Sequence, residues 1–146
     1  MTMSTQDTRP VASAHAFDVA ALARWMDANV EGFCGPLSVE QFSGGQSNPT
    51  YLLRTDGARY VLRRKPPGNL LPSAHAVDRE FRVISALANT NVPVARAYAL
   101  CEDDSVIGTM FYVMDCIDGR ILWDPSLPGY EPTERSAIFD EMNRVI

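Results

Sequence analysis

With 146 residues, 46% of them hydrophobic and 21% charged, the chain has the make-up of one globular domain with a single sizeable core, which argues against disorder. Its net charge of −5 and the lack of a long basic run argue against a protein that wraps nucleic acid. No apolar stretch approaches the ~20 residues that span a bilayer, and Cys34, Cys101 and Cys116 are too few and too widely spaced for a disulfide framework or zinc site; they read as small buried hydrophobes in a reducing cytosol.

Residues 1–16 are polar and small, without the apolar core of a secretory signal, and read as a disordered leader. A helix is predicted over 17–33, with Asp18 as its cap and Val19, Leu22, Trp25, Met26, Val30 and Phe33 at helical spacing. Gly35-Pro36 stops it. Strands are predicted over 37–42, 50–55 and 59–64, the last two joined by the hairpin turn Asp56-Gly57. Pro66-Pro67-Gly68 ends the third strand, and Ser73 is placed to cap a helix over 74–88. Two more strands follow over 94–101 and 109–117. A Pro- and Gly-rich loop then leads to Thr133, which opens a last helix with Ile138, Phe139, Met142, Val145 and Ile146 on one side. The apolar period of that helix still runs at Ile146, the pattern expected of a truncated chain. The order implies an α+β fold: a five-stranded antiparallel sheet, one covering helix, an N-terminal helix and a truncated C-terminal helix.

Three places carry candidate chemistry. The loop Gly44-Gly45-Gln46-Ser47-Asn48 lets backbone approach a ligand closely, and its N–H groups and the Ser47 and Asn48 side chains can cradle phosphate. The same pair of glycines also suits an ordinary hairpin turn. Neither a P-loop nor a dinucleotide fingerprint is present. On the third strand, side chains alternate faces, so Arg63 and Arg64 point opposite ways; Arg64 reads as a solvated strand end and Arg63 as a base able to reach a ligand. On the helix, stepping 100° per residue from Val77 puts Phe81, Ile84, Leu87 and Ala88 on one apolar face with Glu80 in its middle. A lone carboxylate there is costly, so a cation is expected beside it. Arg63 is the natural partner, with solvent, Arg79 or Arg82 as alternatives. The strand from Met110 into Asp118-Gly119 is able to offer backbone groups to a base as a connector, but from composition alone it reads as a core strand leaving the sheet. His15 and His75 have no neighbours at metal-ligand spacing. Trp25 and Trp123 read as packing residues.

Taken together, Phe42-Ser43-Gly44-Gly45-Gln46-Ser47-Asn48-Pro49-Thr50-Tyr51, Tyr60-Val61-Leu62-Arg63-Arg64-Lys65-Pro66-Pro67-Gly68, Ala74-His75-Ala76-Val77-Asp78-Arg79-Glu80-Phe81 and Val113-Met114-Asp115-Cys116-Ile117-Asp118-Gly119 resemble the N-terminal lobe of the aminoglycoside phosphotransferase-like kinases. The similarity is greatest to the branch related to the kinase-like domains of certain acyl-CoA dehydrogenases. The resemblance implies a kinase-like N-lobe over 17–117, with 118–146 as the hinge exit and the first part of a C-lobe. It implies ATP as cofactor and Arg63, braced by Glu80, as the phosphate-gripping base. Met114 becomes the gatekeeper, and the Asp115 carbonyl and Ile117 amide the adenine contacts. Cys116 stands where the branch leads one to expect an aromatic residue.

The His-Gly-Asp loop and the metal-binding Asp motif of such kinases do not occur in this sequence, so Mg²⁺ ligands are expected in a C-terminal lobe and this chain alone is expected to be inactive. The complete protein would transfer the γ-phosphoryl group to a hydroxyl on a small substrate in the cytoplasm, with neither nucleic acid nor membrane as partner. The exposed lobe face would favour self-association. A non-catalytic binding module with the same lobe is the alternative.

Overall fold

The computed structural model describes residues 7–44, 48–74 and 76–146. Among them, six strands form one antiparallel sheet in the order β1-β2-β3-β4-β6-β5. The strands are β1 (Thr8–Arg9), β2 (Ser38–Phe42), β3 (Thr50–Arg54), β4 (Arg59–Arg64), β5 (Ala97–Cys101) and β6 (Phe111–Asp115). The helices are α1 (Val19–Asn29), α2 (Val77–Leu87) and α3 (Pro132–Val145). The α+β class with an antiparallel sheet is therefore the one the sequence implies, but the strand count rises from five to six.

The extra strand comes from the segment expected to be a disordered leader. Thr8 and Arg9 pair with Phe42 and Gln41 of β2. Two buried polar side chains of the sheet explain why the segment docks. Gln41 accepts from the Ala12 N–H at 3.2 Å, and its own Nε2 lies 3.0 Å from His15 Nδ1. Arg64 donates to the His15 carbonyl at 3.2 Å through Nη1, to the Ile107 carbonyl at 3.1 Å through Nη2, and to Thr109 Oγ1 at 2.9 Å through Nε. Its guanidinium also sits 5.4 Å from the centre of the Phe17 ring. Arg64 is thus no solvated strand end. Only 4% of it is exposed, and its hydrogen bonds offset the cost of desolvating the charge.

Strand alternation sorts the sheet into two faces. Tyr51, Leu53, Tyr60, Leu62, Phe111 and Val113 form the main core with Leu22, Met26 and Val30. Leu22 and Met26 are fully buried, each contributing about 1.5–3 kcal/mol relative to an exposed position. Trp25 meets Phe111 edge-on, with ring centroids 4.8 Å apart, as a packing residue should. The opposite face carries Leu52, Val61, Arg63, Tyr112 and Met114 and receives α2, whose Phe81 lies 6.0 Å from the Tyr112 ring.

Several boundaries differ from expectation. Asp18 caps α1 by accepting from the Ala21 N–H at 3.1 Å, but the helix ends at Asn29, short of Phe33. Ser73 does not cap α2, which starts at Val77 with no side-chain cap bond. Ser73 sits at φ 68°, outside the extended region that a capping residue adopts. α3 opens at Pro132, with Glu131 and Glu134 forming a reciprocal capping box in place of Thr133. The Asp56-Gly57 turn is closed by Thr55 N–H donating to the Ala58 carbonyl at 2.9 Å. Cys101 is buried and Cys116 half-buried, whereas Cys34 is exposed, against the expectation that all three are buried. No helix among the described residues is long and apolar enough to cross a membrane.

Candidate functional site

Register brings the site together. Antiparallel pairing sets Thr50 of β3 and Tyr112 of β6 on either side of Arg63 of β4, and Met114 beside Val61. All of these side chains point to the α2 face. The pitch of α2 then aims Glu80 at the same spot. Arg63 Nε donates to Glu80 Oε2 at 2.9 Å and Arg63 Nη2 to Oε1 at 3.2 Å, a two-point contact that fixes the guanidinium plane. Arg63 Nη1 turns toward Thr50 Oγ1 at 3.5 Å. The pair is part-buried, with 28% of the Arg63 side chain and 34% of the Glu80 side chain exposed. The guanidinium meets the carboxylate without leaving solvent altogether, so one edge remains open to a ligand.

Two further groups reach Glu80. The Tyr112 hydroxyl donates to Oε2 at 3.0 Å and the Asn48 amide Nδ2 to Oε1 at 3.1 Å. Burial, and then the negative charge of Glu80, raise the Tyr112 pKa well above its ordinary value, so the hydroxyl stays a donor at any physiological pH.

A cleft of about 820 Å³ opens against this cluster. Arg63, Glu80, Tyr112, Met114 and Asn48 line it, with Ala76, Val83 and Ile84 giving an apolar side and Arg79 a second cation. That volume lies within the range of pockets that hold drug-sized ligands.

The sequence profile of the phosphotransferase enzyme family, APH, matches residues 38–146. The chain belongs to this phosphotransferase family. Mouse acyl-CoA dehydrogenase family member 10 is 48% identical over 145 residues, which cover 99% of this chain and 14% of the relative. Human acyl-CoA dehydrogenase family member 11 is 44% identical over 137 residues, covering 91% of this chain and 18% of the relative. A crystal structure of a Ralstonia eutropha protein assigned to the aminoglycoside phosphotransferases aligns with a TM-score of 0.77 at 60% identity. It covers 89% of this chain and 37% of that one. The chain thus spans less than a fifth of the curated relatives' length and under half of the solved structure's.

Within this member of the phosphotransferase family, the residues singled out from the sequence fall into three groups. Arg63, Glu80, Asn48 and Met114 converge on the cleft. Asp115 and Ile117 are not among the residues that line it. The Asp115 N–H donates to the Arg96 carbonyl at 2.9 Å and its carboxylate accepts from the Tyr98 hydroxyl, while Ile117 is exposed. Gly44 precedes Gly45, Gln46 and Ser47, which lie outside the described residues. A Cβ at Gly44 would stand 3.1 Å from the Trp123 indole, so glycine is what allows that ring to lie against the loop. Sequence reasoning missed Tyr112 and Thr50, which needed the strand register, and took Arg79 only as an alternative partner for Glu80 and not as a residue of the cleft.

Proposed function

We propose that this chain forms the ATP-binding lobe of a kinase that transfers the γ-phosphoryl group to a hydroxyl on a small substrate. The observation that carries the reading is the two-point Arg63–Glu80 contact at the mouth of a cleft bounded by Met114. Arg63 would grip the α- and β-phosphates with its solvent-facing edge while Glu80 holds its plane. Backbone N–H groups of the glycine loop would cover the phosphates, and the strand end at Asp115 to Ile117 would meet adenine. Arg79 adds positive charge on the helix side of the cleft.

Mg²⁺ would supply charge neutralisation between the β- and γ-phosphates. No group of three or more His, Cys, Asp or Glu side chains among the described residues could hold a metal ion, so the described residues do not fit that role. We infer that this chain alone is inactive and that its contribution is to bind and orient nucleotide. The three unpaired cysteines fit a reducing compartment, and we place the protein in the cytosol.

Titration with MgATP, followed by calorimetry, tests the reading. The chain is expected to bind weakly, and Arg63→Ala about tenfold more weakly, the worth of one charge-assisted contact. Equal affinity in the two proteins would remove Arg63 from the site. Binding by neither would favour an interaction module.

A further inference from the structure

The Glu80 carboxylate is engaged beyond what a brace for Arg63 requires. Oε2 accepts from Arg63 Nε at 2.9 Å and from the Tyr112 hydroxyl at 3.0 Å. Oε1 accepts from Arg63 Nη2 at 3.2 Å and from Asn48 Nδ2 at 3.1 Å. A carboxylate offers about four lone-pair positions, so these donors saturate it. They come from separate pieces of the fold: the end of β4, the middle of β6, and the residue that closes the glycine loop.

Asn48 is held from both of its ends. Its side chain is tied to Glu80, and its carbonyl accepts from Thr50 Oγ1 at 3.0 Å. Only 4% of the residue is exposed. The next residue is pinned too, since the Pro49 carbonyl accepts from the Arg64 N–H at 3.1 Å. The sequence reading made Asn48 a donor to phosphate. In the structure its amide is directed to the helix acid.

We infer that Asn48 is a positioning residue that latches the chain entering β3, Asn48-Pro49, to α2 through Glu80, with Tyr112 fixing the carboxylate so that one group serves both that segment and the base. The inference rests on the nucleotide-site reading for its functional consequence, though not for its existence. The latch couples two events. Asn48 and Pro49 keep their place only when α2 is docked with Glu80 inward, and loss of either side frees the other. The chemistry also dictates the residue type. An amide donates to Glu80, whereas an aspartate of the same shape would set two carboxylates about 3 Å apart and force one to take up a proton.

A double-mutant cycle read two ways tests this. The first readout is hydrogen exchange of the Arg64 amide, whose acceptor is the Pro49 carbonyl beside the latch, in ligand-free protein. Asn48→Ala is expected to speed that exchange about tenfold, the worth of one hydrogen bond to a charged group. Tyr112→Phe should give a smaller rise and Glu80→Ala the same rise as Asn48→Ala. The second readout is MgATP affinity. Asn48→Ala should weaken it several-fold in the wild-type background and leave it unchanged in the Glu80→Ala background, because the latch is already gone.

Unchanged Arg64 exchange in Asn48→Ala would overturn the latch. Affinity losses that multiply in the double variant would also overturn it, by making Asn48 a direct phosphate ligand. If the wild-type chain binds no MgATP, the nucleotide reading falls, and the exchange measurement still decides whether the latch exists. Should Glu80→Ala fail to fold, exchange in Asn48→Ala and Tyr112→Phe decides.

Discussion

Two neighbouring arginines show how much one position on a strand determines. Arg63 and Arg64 differ by a single step along β4, yet one faces the cleft and the other the core. Arg63 was legible because its partner lies on a helix whose pitch can be computed from sequence. Arg64 was not, because its acceptors are His15, Ile107 and Thr109, 43 to 49 residues away, and no local pattern announces them. Tyr112 stayed hidden for a related reason. Alternation gives a residue's face but not the register that sets it opposite Arg63. Replacing Arg64 with Met would keep the volume and strip the donors from two carbonyls and a hydroxyl. Arg64→Met is expected to destabilise the fold by about 3 kcal/mol, since each orphaned buried acceptor costs about 1–3 kcal/mol and part of the set can recover water. Urea unfolding checks this: the midpoint should fall with the slope unchanged. A loss below about 0.5 kcal/mol, typical of a surface change, would show that the guanidinium is dispensable.

At the scale of elements, strong periodicity was read correctly and weak signals were not. α1 and the β3–β4 hairpin follow from apolar spacing, a cap residue and an Asp-Gly turn. The two-residue β1 has no periodicity to detect. It exists because Gln41 and Arg64 hold the chain that follows it, and Ser43 N–H donates to the Asp7 carbonyl at 2.9 Å just before it. Ser73 had the right chemistry for a cap and the wrong backbone torsion. Asp18 has both, and its carboxylate satisfies an otherwise orphan N–H at the start of α1. Asp18→Ala should therefore cost about 1 kcal/mol in thermal or chemical unfolding, whereas Asp18→Asn, which keeps the acceptor, should cost far less. Equal losses would mean that charge near the helix start, and not the cap bond, is what matters.

Across the whole molecule, the sheet carries tyrosines whose ionisation is resisted. Burial is the first cause for Tyr51, Tyr98 and Tyr112, and a neighbouring carboxylate adds to it for the last two. Tyr98, bonded to Asp115, is pushed up from 10.0 to about 12. A raised acid pKa means that the folded state keeps a proton which the unfolded chain has released. Stability from such groups is fully present below the unfolded pKa and declines as pH rises toward the folded one. The buried Cys101 and half-buried Cys116 thiols are displaced upward from 9.0 in the same sense, so the decline begins near that pH. Unfolding free energy measured against pH should be insensitive to these groups at neutrality and fall steeply between pH 10 and 12. Tyr98→Phe should start lower, having lost its bond to Asp115, and descend less steeply by one proton. An unchanged slope would place the alkaline weakness elsewhere.

The indole of Trp123 resting on Gly44 has a practical corollary. Of the two tryptophans, Trp25 is wedged edge-on against Phe111 beneath the sheet, and its emission will follow the integrity of the core. Trp123 is 66% open to water with its rim against Gly44. The molecule therefore has separate optical gauges, one for whether it is folded and one for the surroundings of Gly44. Quenching by a water-soluble iodide salt can silence the second while leaving the first bright.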